Sequence, residues 1–282
     1  MGETKCGCIQ GGAVTVFEFD RMDVWAGELR SLLSDELPDH IEATLRSAEF
    51  EYYEDACDLL LEQVNRERIL SIVSDWLKSK PMIGYHGSRL TPSEIEGVRA
   101  SGLRRLVAAN RGERLAQILS SHPRWPEVEV KLIDALVEFG PGMRAGRREG
   151  QVHLTLSRAA LTRSFNHYLV MGSEFDGRLA HHLLGDDGHD LLRHHGQAVL
   201  FRVHVPAGLA LSACNPYGAP GGDPPSPVLH VLRAWSYGIA HPDFDASSIK
   251  PDIGMVFREN IPKEWIEAAI PITDDLLSHY RS

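Results

Sequence analysis

The sequence predicts an α+β protein: a helical region over residues 1–80, then a second unit over 81–282 in which short strands mix irregularly with helices. Three observations carry this. Apolar residues recur at helical spacing from Met22 to about Lys80. Pro81 breaks that pattern. Beyond it, strand-like runs at 82–88, 151–156, 197–206 and 253–258 are separated by helical stretches of unequal length, not by a regular βαβ array.

Taken in order, residues 13–19 (AVTVFEF) alternate as a short strand does. The helical region follows. Trp25, Leu29, Leu32 and Leu33 share one helical stripe, as do Ile41, Leu45 and Ala48, then Ala56, Leu59, Leu60 and Val64, then Ile69, Ile72, Val73, Trp76 and Leu77. Pro38 falls at a boundary, so three or four helices are expected. They carry no convergent chemistry and are read as a lid, a partner surface or a packing layer. After the strand 82–88 (MIGYHGS), Thr91-Pro92-Ser93-Glu94 combines an N-cap, a proline at the first helical position and a capping-box glutamate. That helix, carrying Ile95 and Val98, should stop at Ser101-Gly102. Helical pattern resumes over 112–139, broken near Pro123 and Pro126, and Gly140-Pro141-Gly142 reads as a loop. QVHLTL (151–156) reads as a strand and leads into a helix through Tyr168. Gly172-Ser173-Glu174 opens another helix to Leu184. QAVLFRVHVP (197–206) is the clearest strand, and 215–227 is a long loop rich in Pro and Gly. A strand near 253–258 and the turn Asn260-Ile261-Pro262 lead into a final amphipathic stretch.

Composition bounds the function. Of 282 residues, 43% are hydrophobic and 24% charged, as in ordinary folded proteins. A net charge of −10 argues against binding nucleic acid through a broadly basic surface. Arg144, Arg147, Arg148, Arg158 and Arg163 bracket one strand and are read as surface arginines. Cys6, Cys8, Cys57 and Cys214 form no C-x-x-C pair, so neither a zinc site nor a disulfide scaffold is expected; reduced thiols suggest a cytoplasmic protein, with a secreted effector left open. No apolar run is long enough for a membrane span, and the start MGETKCGCIQGG lacks signal-peptide character. His181, His182, His189, His194 and His195 crowd a short tract, but no accompanying carboxylates fall at ligand spacing, so surface or cap roles are expected and no metal.

The sequence has no G-x-G-x-x-G, Walker loop, G-x-S-x-G or H-E-x-x-H. The informative stretch is Ile83-Gly84-Tyr85-His86-Gly87-Ser88-Arg89, followed by a capped helix and Gly102-Leu103-Arg104. It resembles the first NAD-binding segment of the poly(ADP-ribose) polymerase-like and diphtheria-toxin-like ADP-ribosyltransferases, where an aromatic-His-Gly-Ser/Thr strand precedes a short helix and a Gly-Leu. The resemblance implies an ADP-ribosyltransferase-like split mixed or antiparallel sheet over 81–282 and a cleft for NAD+ as co-substrate. In such a cleft His86 would hydrogen-bond a ribose hydroxyl and the Gly87 backbone would approach the nicotinamide amide. Ser88 and Arg89 would reach polar or phosphate groups, with Tyr85 beside them.

The likeness continues more loosely, covering about 82–270. Gly150-Gln151-Val152-His153-Leu154 stands where the family has Gly-x-x-Tyr-Phe, with His153 in place of the stacking Tyr. Arg163-Ser164-Phe165-Asn166-His167-Tyr168 resembles the segment with the nicotinamide-contacting Ser and second stacking Tyr, which assigns those roles to Ser164 and Tyr168. The run Asp252–Ile266 resembles the last catalytic strand, which normally begins with Glu; Asp252 takes that place, and Glu174 is the rival carboxylate. The acid matters because breaking the nicotinamide–ribose bond leaves positive charge on the ribose, which a nearby carboxylate stabilises.

The implied activity is mono-ADP-ribosyl transfer from NAD+ to a macromolecular acceptor, protein or nucleic acid. By analogy this includes a bacterial toxin or effector, with the N-terminal helices meeting a target or neutralising protein. An NAD+ glycohydrolase, an RNA 2′-phosphotransferase and a catalytically degraded NAD+ or ADP-ribose binder are the competing readings.

Overall fold

The structure is a computed structural model that describes residues 15–140, 148–163, 166–214, 226–249 and 253–277. Four helices open it: α1 (Met22–Leu33), α2 (Ile41–Ser47), α3 (Asp55–Glu62) and α4 (Arg66–Lys78). Of the expected strand at 13–19, the described residues 15–19 hold a single bridge. Phe17 lies parallel to Met82, donating to the Pro81 carbonyl (2.8 Å) and accepting from Ile83 N–H (2.8 Å). The alternation there serves burial: Phe17 and Phe19 point into the core.

The sheet follows Pro81. β1 (Met82–Leu90) is its centre, and among the described residues the order is β4-β2-β1-β3-β5, antiparallel throughout. β2 is Val152–Thr155, β3 Gln197–Val205, β4 Gly254–Phe257 and β5 Ile266–Pro271. β1 pairs with β3 along its whole length, from Met82↔Val205 to Leu90↔Gln197. It pairs with β2 only at Tyr85↔Thr155.

The predicted cap of α5 (Pro92–Ser101) forms in both directions: Thr91 Oγ1 accepts from Glu94 N–H, and Glu94 Oε2 accepts from Thr91 N–H at 2.8 Å. Gly102 ends the helix with φ +83, and a Cβ there would fall on the Ile261 carbonyl oxygen. The exclusion of a side chain lets Leu103 and Ile261 exchange both backbone hydrogen bonds, at 3.0 and 2.9 Å.

The next helical stretch divides into α6 (Arg111–Leu119), α7 (Trp125–Val128) and α8 (Leu132–Glu138): Pro123 falls in the turn before α7, Pro126 is in the first turn of α7, and the 3-10 turn Glu129–Lys131, which holds no proline, separates α7 from α8. Between β2 and β3 lie α9 (Arg158–Arg163), α10 (His167–Val170), α11 (Glu174–Leu184) and α12 (Asp186–His194). After β3 come α13 (Ala210–Ala213) and α14 (Ser226–Ala240). α14 extends through a region where the sequence reading placed only the end of a loop. Its Val228, Val231, Leu232 and Trp235 are buried, and it packs on α2 and α3. The final amphipathic stretch is the edge strand β5.

One core joins the N-terminal helices to one face of the sheet: Trp25, Leu29, Ile69, Val73 and Leu77 belong to the same buried cluster as Val152, Leu154, Val199, Phe201 and Met255. Phe17 links them, its ring 5.6 Å from those of both Trp25 and Trp76. A smaller cluster on the opposite face holds Ile83, Tyr85, Leu161, Leu169 and Leu200. A third lies among α6–α8, α11 and α12. Among the described residues, no helix is long and apolar enough to cross a membrane.

Candidate active site

Neighbouring residues of a strand face opposite sides, so Tyr85-His86-Gly87-Ser88-Arg89 cannot all line one cleft. Tyr85, Gly87 and Arg89 lie on the face covered by α9 and α10. His86 and Ser88 lie on the face of the main core, where His86 stands opposite Phe201 with the rings 6.4 Å apart. On β2, Val152 and Leu154 join the main core, which turns His153 to the α9–α10 face.

That face gathers the site. Glu174, the first residue of α11, accepts on Oε1 from His167 Nε2 at 3.2 Å and from the Tyr168 hydroxyl at 3.2 Å, and Arg148 Nη2 stands 3.2 Å from the same oxygen as an ion pair. Arg148 also donates to the Tyr168 hydroxyl, and its guanidinium lies 5.7 Å from that ring's centre. The rings of His167 and Tyr168 are 4.1 Å apart. His153 is coupled electrostatically to Arg148 and Glu174, and its Nε2 meets Gln151 Oε1 at 2.9 Å.

The electrostatics are strongly set. The His167 hydrogen bond, against the opposing effect of burial and with help from Arg148 and Tyr168, holds the Glu174 carboxyl down to about 2. It is ionised at any ordinary pH. Burial, then repulsion from Arg148, lowers His153 to about 4, so its imidazole is neutral. Burial pushes the Tyr168 hydroxyl up, keeping it protonated as a donor. The arrangement sets an ionised carboxylate near the neutral rings of His153 and Tyr168, with the Arg148 guanidinium beside it.

Local sequence explains the placement. Ser173 caps α11 by accepting from Asp176 N–H at 3.0 Å, which aligns Glu174 with the helix N-terminus. Asp176 is fully buried and takes Arg111 through both carboxylate oxygens and Arg114 at 3.1 Å. Arg114 reaches Glu94 Oε1 at 2.6 Å and the Arg89 carbonyl at 3.1 Å. The start of α11 is thereby tied to the end of β1 and the start of α5.

The predicted residues divide accordingly. His153, Tyr168 and Glu174 come together. His86 does not join their face; it touches them only through its neighbour's backbone, Nδ1 donating to the His153 carbonyl at 2.8 Å, and burial lowers its pKa. Gly87 is not an open floor, because Leu161 and Leu169 lie 3.2–3.3 Å from where its Cβ would be. Arg89 is buried, with Nη1 donating to the Leu169 carbonyl at 3.3 Å. Ser88 is half-buried on the main-core side. The Tyr85 hydroxyl donates to Glu18, which also accepts from Arg202 at 2.8 Å. Ser164 and Asp252 lie outside the described residues.

Sequence reading missed Arg148 and His167. Arg148 was counted among surface arginines; its position two residues before Gly150, at the mouth of β2, was the available signal. Of the other arginines in that group, Arg163 donates to the Ser248 carbonyl at 3.3 Å. Arg158 lines a cavity of 640 Å³ that was also missed, between α1, β1 and the segment after α14, with Glu18, Asp20, Tyr85 and Asp245 on its polar side. Asp20 accepts there from Ser157 Oγ at 2.7 Å and Arg158 N–H at 2.8 Å, as a cap for α9. Within the histidine tract the rings of His181 and His189 lie 4.9 Å apart and His189 meets the Gly177 carbonyl at 3.1 Å, while His194 meets the Asp190 carbonyl at 2.7 Å and His182 packs edge-on to Phe139. Compared with protein-family models, curated proteins and solved structures, the chain matches none.

Proposed function

We propose that the chain cleaves NAD+ at the nicotinamide–ribose bond and transfers ADP-ribose to a macromolecular acceptor, with Glu174 as the catalytic carboxylate. The observation that carries this reading is the convergence of an ionised Glu174 with Tyr168, His153 and Arg148 on one face of the sheet, beside the end of β1. The residue types fit the ligand. Two neutral rings suit a flat nicotinamide, a guanidinium suits a pyrophosphate, and a carboxylate suits a ribosyl carbon that gains positive charge as the bond breaks.

Each group has a definable task. The two hydrogen bonds and the Arg148 ion pair on Oε1 hold the Glu174 carboxylate in one orientation, and Oε2 is assigned to a ribose hydroxyl. His153, neutral and held by Gln151, stacks without adding charge. Tyr168, kept protonated, stacks and steadies Glu174. Between the two acids weighed from sequence, this reading takes Glu174.

A second reading has one observation behind it. The Glu174–Arg148 ion pair is already satisfied, which suits a module that binds NAD+ or ADP-ribose without turnover. One experiment separates the two: nicotinamide release from NAD+ by the wild-type chain and by Glu174→Gln, with NAD+ titrated calorimetrically against both. Release that drops at least about 100-fold in the variant, with affinity changed only a few-fold, is the expected result. Binding without release in the wild type selects the binding module. Neither binding nor release removes both readings.

A further inference from the structure

Val130, Ile133 and Val137 are 75%, 72% and 74% exposed, the most exposed large apolar side chains among the described residues. They are spaced three and four apart along the 3-10 turn at 129–131 and α8, so they form one outward stripe about 10 Å long. The opposite side of the same segment is already used: Val128, Leu132 and Ala135 are buried against the core shared with α6 and α11. A helical segment with one apolar stripe buried and a second left in water carries a hydration cost that a covering partner would remove.

The charges around the stripe say what kind of partner fits. Over 124–138 the exposed ionisable residues are Glu127, Glu129, Asp134 and Glu138 against Arg124 and Lys131, and Arg124 is paired with Glu127 at 3.8 Å, so the rim beside Ile133 and Val137 stays acidic through Asp134 and Glu138. We propose that this face is a docking surface for a basic amphipathic helix of another protein, its apolar i, i+3, i+7 positions covering Val130, Ile133 and Val137 and its Lys or Arg flanks meeting the acidic rim. A second copy of this chain is disfavoured as occupant, because a two-fold pairing would set acidic rim against acidic rim in a molecule of net charge −10. An anionic membrane surface is disfavoured on the same ground. The proposal is independent of the reading of the Glu174 site.

The test titrates the full chain with two labelled peptides of one amphipathic pattern, one of Leu and Lys and one of Leu and Glu. Comparison variants are Ile133→Ser with Val137→Ser, Asp134→Lys with Glu138→Lys, and Leu32→Ser on α1 as a control at another exposed site. Thermal melts establish that each is folded. The Leu/Lys peptide should bind, with affinity falling about tenfold or more in both stripe and rim variants and unchanged in Leu32→Ser. Binding insensitive to the serine variants would mean attraction to a generally acidic protein and would overturn the proposal. So would equal binding of the Leu/Glu peptide, or no binding of either. Self-association of the wild type in sedimentation, lost in the serine variants, would overturn it in favour of a second copy.

Discussion

At the residue scale, protonation of two groups gives opposite tests of one site. Glu174 titrates near 2 in the fold against an ordinary 4.5, so its favourable contribution is complete above about pH 4.5 and is lost as pH falls toward 2. The stability difference between wild type and Glu174→Gln should therefore be largest near neutrality and vanish near pH 2, as read by denaturant unfolding across pH. Its size will be modest, since the carboxylate is about a third exposed and screened. His153 is displaced from 6.5 to about 4 by burial, so the fold holds it neutral, and stability is lost as pH falls from about 6.5 to 4 while the unfolded chain takes up the proton. His153→Gln should flatten that limb. An unchanged limb would place the titration elsewhere: on His230, also lowered to about 4 by burial and by Arg233, or on His86 or His195, both lowered first of all by burial.

At the element scale, two devices hold the start of α11 and the end of β1 in place. The Thr91–Glu94 capping box is local. Thr91→Ala removes one of its two bonds and should cost about 1 kcal/mol, measured by chemical denaturation. The Asp176–Arg111–Arg114 network is not local. Its carboxylate is fully buried, so Asp176→Asn takes the counter-charge from Arg111 and leaves Arg114 with Glu94, and should cost about 3–5 kcal/mol. It should also loosen NAD+ handling through Glu174, two residues away. An Asp176→Asn protein as stable as wild type would mean that water, not the carboxylate, satisfies the arginines. The capping box was legible because its four residues are consecutive. The network was not, because Arg111 and Arg114 stand on α6 while Asp176 lies 65 and 62 residues further along the chain, on α11.

At the scale of the whole molecule, the N-terminal helices and the sheet stand or fall together. Trp25 is buried between Phe17, Phe19 and Trp76, and its Nε1 donates to the Phe19 carbonyl at 3.2 Å. Trp25→Ala should cost about 3–5 kcal/mol and lower one shared transition, not a separate N-terminal one. Two resolved calorimetric transitions in the wild type would contradict a shared core.

What the sequence determined by itself is whatever depends on near neighbours in the chain: three or four opening helices, the break at Pro81, the capped α5 ending at Gly102, and the strands read at 82–88, 151–156, 197–206 and near 253–258, each within two residues of the observed β1, β2, β3 and β4. The type of residue at Glu174, Tyr168 and His153 was also visible there. Tertiary structure decided the rest. Strand alternation at the Tyr85–Arg89 segment sends His86 to the main core and leaves Gly87 under Leu161 and Leu169, a consequence of which face the helices cover. The partnership of Arg148 and His167 with Glu174, and the burial of α14, arise from contacts between segments far apart or joined by turns. Linear spacing encodes which way a chain repeats; it does not encode which repeat ends up against which.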